Sequence, residues 1–191
     1  MMIFIILYRN NTMSKKMVET IKKTISECYY LQREDRNWFL ENNVRLRVPN
    51  KNSLGFSLDN KQKPPFAFFN DKPPLHVAKM CDAILALSSR EKFYLFIIEQ
   101  KTSNLDQYEK QLANGKYFCD WLFSLYKEHG HYLADPVYIR LLIWQPRPLP
   151  RKGTTSHHSK DKPKKYSQSD YFLEERNNQD IYLQEIIKRC K

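Results

Sequence analysis

Two apolar runs decide the fold of this chain: Cys81-Asp82-Ala-Ile-Leu-Ala-Leu87 and Phe93-Tyr-Leu-Phe-Ile-Ile-Glu99, the second of which continues into Gln100-Lys101. The polar segment Ser88-Ser-Arg-Glu-Lys92 separates them. Runs of this length, joined by a short polar turn, are typical of a hairpin of two buried strands. Antiparallel pairing brings the start of the first run beside the end of the second. The sequence therefore predicts that Asp82 and Glu99 lie at the same edge of a sheet.

Upstream of this hairpin, the pattern changes from helical to extended. Apolar residues at helical spacing predict an amphipathic helix over residues 14–33, with Ser14 as its N-cap. Alternation over 44–48 predicts a strand, and a proline-rich approach follows, in which 64–69 could add a short edge strand. The apolar residues 1–8 are too few to span a bilayer and are interpreted as a strand or as an over-long start, with Met13 as the other plausible beginning.

Downstream of the hairpin, the same kinds of pattern predict three more elements. A long amphipathic helix is expected over 104–129, and a strand over 137–144 that is ended by prolines. Residues from about 147 to 170 are rich in basic side chains and poor in large aliphatic ones, which predicts a mobile basic loop. An amphipathic helix over about 180–189 closes the chain. We expect a single domain over 1–191.

The residues at the hairpin's acidic edge fit metal-assisted hydrolysis of a phosphodiester. Asp82 and Glu99 supply hard oxygen ligands that suit Mg²⁺ or Mn²⁺, and the backbone carbonyl of Gln100 could complete the ligand set. Lys101 follows Glu99 with the period of a strand, so both side chains point to the same face of the sheet. Its ammonium could orient the attacking water or neutralise charge on the phosphate, whereas Gln100 points to the opposite face.

The pattern Asp82…Glu99-Gln100-Lys101 resembles the D…ExK signature of the PD-(D/E)XK nuclease superfamily. The order of predicted elements from about 14 to 145 resembles that superfamily's αβββαβ core, the restriction-endonuclease-like fold. The resemblance implies an α/β protein with a central mixed sheet flanked by helices, a Mg²⁺-dependent endonuclease activity, and Asp82, Glu99 and Lys101 as catalytic residues. Cys81 stands where the family's proline would be, and the Q-x-x-x-Y element of the RecB-like branch is absent, because Gly115 follows Gln111 at that spacing.

The resemblance also suggests residues around this core. Gln111 on the following helix and Glu27 on the first helix are auxiliary candidates at the site. Residues expected to contact nucleic acid are His76, Lys79, Lys110, Arg147, Arg151, Lys152, Lys160, Lys162, Lys164 and Lys165, with Arg45 and Arg47 as further options. The superfamily's members are often dimers or effector subunits, which leaves a homodimer, or a subunit of a defence, restriction or repair assembly, open.

The charge of the chain favours a polyanionic partner. The chain has 32 Lys and Arg residues against 21 Asp and Glu residues, a formal net charge of +11. Such an excess favours nucleic acid, with DNA preferred, because each neutralised phosphate releases condensed counterions. No long amphipathic basic helix argues for a membrane surface. The four cysteines show no zinc-ligand or disulfide spacing, so a reducing cytoplasm is expected.

Two other interpretations stay open. The first is a catalytically inactive nucleic-acid-binding or assembly subunit with the same fold, which would bind but not cleave. The second makes four aromatic residues a partner-facing patch, although we interpret them as core: Phe118, Trp121, Phe123 and Trp144.

Overall fold

The predicted hairpin lies in the middle of a six-stranded mixed sheet. A computed structural model describes residues 2–35, 37–41, 44–49, 52–59, 79–102, 107–144, 164–165, 170–176 and 180–190. In chain order, the elements are α1 (Met2–Thr24), a 3-10 turn (Glu27–Tyr29), β1 (Gln32–Arg33), β2 (Trp38–Glu41), β3 (Val44–Arg47), β4 (Ser53–Phe56), β5 (Ala83–Ser89), β6 (Lys92–Lys101), α2 (Tyr108–Glu128), β7 (Pro136–Trp144), β8 (Lys164–Lys165), β9 (Asp170–Arg176), β10 (Asp180–Tyr182) and α3 (Leu183–Arg189).

The strand order places the hairpin at the centre of this sheet. The order is β4-β5-β6-β7-β9-β8, in which β5 pairs antiparallel with β6, while β6, β7 and β9 run parallel. The hairpin and the strand after α2 are confirmed, because long apolar runs on both faces of a strand indicate a buried position. A second sheet has the order β1-β2-β3-β10.

Two hydrophobic cores lie on opposite faces of the six-stranded sheet. The helix-side core joins α1 and α2 to residues such as Ile84, Phe93, Leu95 and Ile97. The other core joins alternate residues of the same strands to the second sheet and to α3. The chain is therefore a mixed α/β structure whose central mixed sheet is flanked by helices. Within the described residues, no helix is both long and apolar enough to cross a membrane.

The first helix differs from the prediction at both ends. Residues 2–24 form one helix, so the interpretation of residues 1–8 as a strand is wrong. No glycine or proline interrupts this segment, and Ser14 is not an N-cap but a buried residue whose hydroxyl accepts a hydrogen bond from Ser88 on β5 at 2.9 Å. The helix stops before residue 33 because Leu31 donates its backbone N–H to the carbonyl of Gly55 on β4 instead.

The strand predicted over 44–48 exists as β3, but it lies in the second sheet. The first strand of the central sheet along the chain is β4, whose four residues are all buried. The proposed edge strand over 64–69 lies outside the described residues.

The last fifth of the chain contains more strand than predicted. Lys164–Lys165 and Asp170–Arg176 pair with each other and extend the central sheet, so the loop prediction is wrong at these positions. Ile181 belongs to β10, and the closing helix begins at Leu183. These strands are short and rich in polar residues, and they are stabilised by pairing with distant strands that local periodicity does not reveal.

Candidate active site

The hairpin brings Asp82 and Glu99 to one edge of the central sheet. Pairing between β5 and β6 ends at Ala83 and Ile98, so the last residues of β6 extend beyond β5. Asp82 takes the place of the missing strand partner, since the backbone N–H of Gln100 donates to its Oδ2 at 2.6 Å. This edge is also the carboxyl end of the parallel strands β6 and β7, where ligands commonly bind in open α/β sheets.

Glu99 is a buried carboxylate that pairs with Lys101 through one of its oxygens. Its side chain is 1% exposed, and its Oε1 lies 2.6 Å from the ammonium of Lys101. Among the described residues, the buried Oε2 has no hydrogen-bond partner. A buried carboxylate oxygen without a partner is costly, because the charged form loses its water without compensation. This oxygen is therefore the strongest indication that the site receives a further cationic or hydrogen-bonding group.

The titration of Glu99 reflects the same environment. The pKa of Glu99 is raised to about 7, mainly by burial and also by the charge of the neighbouring Asp82. The bond to Lys101 and a hydrogen bond from the Asp82 backbone act in the opposite direction. The pKa of Asp82 is also raised by burial, against the lowering effects of the Gln100 N–H and of Lys101. Two acidic groups in a site of this kind favour a cation between them.

Lys101 is held between the sheet and α2. Its Nζ donates to the side-chain carbonyl of Gln111 at 2.7 Å, in addition to its contact with Glu99. Gln111 in turn donates its Nε2 to the backbone carbonyl of Met80 at 3.3 Å, next to the segment that carries Asp82. The structure thus places the auxiliary candidate Gln111 in contact with the catalytic candidates. An ammonium has three donors, and these bonds engage two of them among the described residues.

Gln100 points to the other face of the sheet, as its place between Glu99 and Lys101 predicts. Its side chain donates to the backbone carbonyl of Glu41 on β2 at 3.0 Å. In a strand, the N–H and C=O of one residue project toward the same side. Because the Gln100 N–H points to Asp82, its carbonyl also points toward the side that β5 leaves open. This orientation is compatible with the predicted role of the Gln100 carbonyl as a metal ligand.

Sequence reasoning missed Glu41, the last residue of β2. Burial is the main cause that raises the pKa of Glu41 to about 7, followed by the charges of Asp82 and Asp59. The second sheet therefore adds a carboxylate to the electrostatic environment of Asp82. A signal was present in the sequence. Trp38-Phe-Leu-Glu41 is an apolar run that ends in an acidic residue, as the run that ends at Glu99 does, and the polar pair Asn42-Asn43 follows it.

Other predicted residues lie elsewhere or beyond the described residues. Glu27 is exposed on the 3-10 turn, and its charge acts on Tyr30, with no contact to the Asp82–Glu99–Lys101 group among the described residues. Lys79 is exposed, and its backbone carbonyl accepts a bond from Asn114 at 2.8 Å. Lys110 is exposed beside Gln111, whereas Lys164 and Lys165 form β8. His76, Arg147, Arg151, Lys152, Lys160 and Lys162 lie outside the described residues.

The two arginines of β3 are engaged within the second sheet. Arg45 forms ion pairs with Glu34 at 2.8 Å and with Asp180 at 3.3 Å. The guanidinium of Arg47 lies 5.3 Å from the centre of the Tyr182 ring. The charge of Arg45 is therefore already compensated by two carboxylates, which argues against the option that it contacts a nucleic-acid backbone.

The donor chemistry of the site fits a small divalent cation. Mg²⁺ is usually held by one or two carboxylates, with water and substrate oxygens as the other ligands. Asp82 and the unengaged Oε2 of Glu99 provide that minimum. Within the part of the chain that the structure describes, no group of three or more His, Cys, Asp or Glu side chains is arranged to hold a metal.

No protein-family model, curated protein or solved structure that was compared with this chain matches it. The site must therefore be interpreted from its own chemistry.

Proposed function

We propose that this chain is a metal-dependent nuclease of the PD-(D/E)XK superfamily with a restriction-endonuclease-like fold. The observation that supports this most strongly is the buried Glu99 carboxylate beside Asp82 and Lys101 at a sheet edge, whose Oε2 has no partner within the part of the chain that the structure describes. A carboxylate kept for a structural ion pair would have both oxygens satisfied, because an orphaned buried oxygen destabilises the fold. An unsatisfied oxygen next to a second acid is the expected arrangement for a metal ligand.

Each residue of the site has a distinct task in this proposal. Asp82 and Glu99 would hold Mg²⁺ or Mn²⁺, together with the carbonyl of Gln100. When bound, the metal supplies Lewis-acid stabilisation of phosphoryl oxygens and lowers the pKa of the attacking water. Lys101 would position that water or stabilise the charge that develops on the phosphate. It would do so through the third N–H of its ammonium, since the other two contact Glu99 and Gln111. Gln111 fixes the ammonium in place and keeps the Met80–Asp82 segment beside it.

DNA is the substrate that we favour. The net charge of +11 favours a polyanion, and the exposed Lys79 lies on the segment that carries the site residue Asp82. This lysine would contact a phosphate, which positions the nucleic acid without reading its sequence. A place in a defence, restriction or repair assembly belongs to the same proposal.

A cleavage assay tests the proposal directly. The purified chain is incubated with supercoiled plasmid, linear duplex, single-stranded DNA and RNA, each in Mg²⁺, Mn²⁺ or EDTA. The variants Asp82→Asn, Glu99→Gln and Lys101→Met keep the size of each side chain and remove its charge. Matched controls are Glu185→Gln, an exposed acid paired with Lys188 on α3, and Lys92→Met, an exposed lysine at the start of β6.

We expect cleavage that requires a divalent metal and falls at least about 100-fold in all three site variants, the lower end of what a positioned acid–base group contributes. The two control variants should cleave like the parent. If every substrate stays intact while salt-sensitive binding persists, the chain is a binding or assembly subunit with this architecture. If Glu99→Gln cleaves normally, the site assignment is wrong.

A further inference from the structure

The outward face of α2 carries a stripe of exposed apolar side chains. Tyr117 is 66% exposed, Trp121 54% and Leu125 38%, and they follow one another at intervals of four residues. At about 100° per residue, these three positions fall within an arc of about 80° on the helix. The opposite face of α2 packs into the helix-side core through buried residues such as Leu112, Cys119 and Leu122.

This stripe is not explained by the core. Phe123 is buried, as predicted, but the prediction that Trp121 is a core residue is wrong. The Trp121 ring lies 5.9 Å from that of the half-buried Phe118, which leaves most of the indole in solvent. Exposed tryptophan and tyrosine residues on one helix face are typical of protein interfaces, where such rings contribute most of the binding energy.

The charges at the two ends of the stripe indicate which partner covers it. Lys110 and Glu128 are both exposed and lie 18 positions apart, five full turns, so they fall on one line of the helix, which runs between Tyr117 and Trp121. The midpoint between Lys110 and Glu128 is residue 119, which is also the midpoint between Tyr117 and Trp121. A two-fold axis at that point would pair each residue with its counterpart on an antiparallel copy of the same helix.

We propose that α2 is the interface of a homodimer in which the helices of two copies pack antiparallel. The Tyr117 ring of one copy meets Trp121 of its partner, and the reverse contact forms on the other side of the axis. Lys110 at each end meets Glu128 of the other copy, which gives two ion pairs. One surface thus provides both halves of the contact, as an isologous interface requires.

The balance of charge on this face favours a second copy over nucleic acid. The lysine and the glutamate at its ends cancel, and Lys116 beside the stripe already pairs with Asp120 at 2.8 Å. A surface that stacks nucleic-acid bases on aromatic rings needs cations around the rings to hold the phosphates. The chain as a whole has a net charge of +11, whereas this stripe is neutral and apolar. Such a stripe suits another neutral, apolar protein surface better than a nucleic acid.

This inference goes beyond the proposed nuclease activity and does not depend on it. Because Gln111 lies on α2 and binds Lys101, the interface would link the two candidate sites through paired helices. In the antiparallel register, Gln111 lies level with residue 127 of the partner, so the two Gln111 positions are about 24 Å apart along the helix axis at 1.5 Å per residue.

Sedimentation velocity of the full chain, without nucleic acid, tests the interface over a range of concentrations. The parent should show a concentration-dependent species of twice the 23.0 kDa chain mass. Trp121→Ser should weaken dimerisation at least about 100-fold, because the substitution removes the Trp121–Tyr117 contact on both sides of the two-fold axis. Tyr182→Ser is the matched control, since Tyr182 is 44% exposed but lies on β10, and it should leave the dimer unchanged.

A charge exchange tests the antiparallel register. Lys110→Glu and Glu128→Lys should each weaken the dimer by about three- to tenfold, because each places two like-charged pairs across the axis. The double variant restores opposite charges and should recover the parent dimer. A chain that stays monomeric at all concentrations overturns the proposal, as does a dimer that survives Trp121→Ser. A monomer whose tryptophan fluorescence is quenched by single-stranded oligonucleotide, with the quenching lost in Trp121→Ser, would assign the stripe to nucleic acid instead.

Discussion

At the scale of single residues, the contact between Lys101 and Gln111 gives the first prediction. Gln111 accepts a hydrogen bond from the Lys101 ammonium at 2.7 Å and is anchored to Met80, so in the proposed nuclease it would position the lysine rather than take part in the chemistry. Gln111→Leu should lower kcat about 10- to 100-fold and leave KM nearly unchanged, as expected for a group that supports a catalytic one. Single-turnover cleavage of the preferred substrate separates the effect on the rate of cleavage from the effect on substrate binding.

The matched control for this variant is Gln32→Leu, which makes the same change at an exposed glutamine on β1. Gln111→Glu keeps an oxygen for the ammonium but has no N–H to donate to the Met80 carbonyl, so it should recover only part of the rate. If Gln111→Leu raises KM and leaves kcat intact, the residue contacts substrate instead of positioning Lys101.

The buried acids predict an unusual dependence of stability on pH in metal-free buffer. The pKa of Glu99 is raised from 4.5 to about 7 in the folded chain, so between these values the folded state binds more protons than the unfolded one. The contribution of this group is fully present below about pH 4.5 and is lost as pH rises through about 7. Glu41, with the same raised pKa, acts in the same direction.

Thermal unfolding in EDTA at pH 5 and pH 8 measures this effect. The parent should lose a few kcal/mol of stability more than Glu99→Gln over this interval, because each pKa unit corresponds to ~1.4 kcal/mol. Mg²⁺ should raise the Tm of the parent at pH 8 and have little effect on the variant, since binding to the folded state stabilises it. Parallel pH profiles for the two chains would contradict the proposed environment of Glu99.

The residues of the site were predictable to different degrees. Asp82, Glu99 and Lys101 could be found because strand parity and hairpin pairing are local properties of the sequence. Glu41 could not be placed beside them, because its position depends on how the second sheet packs under the first. The orphaned Oε2 of Glu99 is a feature of packing that no pattern of residue types reveals.

At the scale of elements, the packing of α2 on the hairpin depends on Gly115. A Cβ at this position would lie 2.5 Å from the Cys81 Sγ and 2.7 Å from the Ile97 Cγ2, distances that packing does not allow. Gly115→Ala should therefore destabilise the chain by about 1–3 kcal/mol, the usual cost of overpacking. Because Cys81 precedes Asp82, cleavage should fall as well. Chemical denaturation and the cleavage assay measure the two effects.

A double-mutant cycle isolates the cause. Cys81→Ala removes the atom that is closest to the new Cβ. The loss of stability in the double variant should therefore be smaller than the sum of the losses in the two single variants. Additive effects would mean that the alanine disturbs α2 for another reason.

The elements that sequence reasoning found are those with strong local patterns. The hairpin, α2 and β7 carry long apolar runs or a clear helical face. The missed strands β4, β9 and β10 are short or polar, and each forms by pairing with a strand that is distant in sequence. The end of α1 was misplaced for the same reason, since Leu31 pairs with Gly55 rather than continuing a helix.

At the scale of the whole molecule, two layers converge on one edge of the central sheet. The hairpin and α2 bring Asp82, Glu99, Lys101 and Gln111 together, and the second sheet adds Glu41 from the other face. The acidic edge lies within a chain whose net charge is +11. In the proposed function, the acidic site would need a cation to accept a phosphate, whereas the surrounding positive charge would attract the polyanion without one.

If the acidic site cleaves the nucleic acid and the surrounding basic charge binds it, binding and cleavage should depend on different residues. Glu99→Gln should bind duplex DNA in EDTA with an affinity that falls steeply with salt, with a slope of log K against log salt of about −0.9 for each neutralised phosphate. Replacing Arg147, Arg151, Lys152, Lys160 and Lys162 by glutamine should reduce the magnitude of this slope, by up to about 4.5 if each contacts a phosphate. Fluorescence anisotropy between 50 and 200 mM salt measures it, because that range changes affinity strongly for proteins with several phosphate contacts.

The comparison with Arg45 tests whether the location of the charges matters. Arg45→Gln removes a cation that is already paired with Glu34 and Asp180, so it should leave the slope unchanged. If the five-residue variant keeps the parent slope, the basic segment over 147–162 does not contact the backbone, and Lys79, the exposed lysine beside the site, becomes the residue to replace next. If both variants reduce the slope equally, binding follows net charge alone, because a diffuse positive field attracts DNA without a defined contact surface.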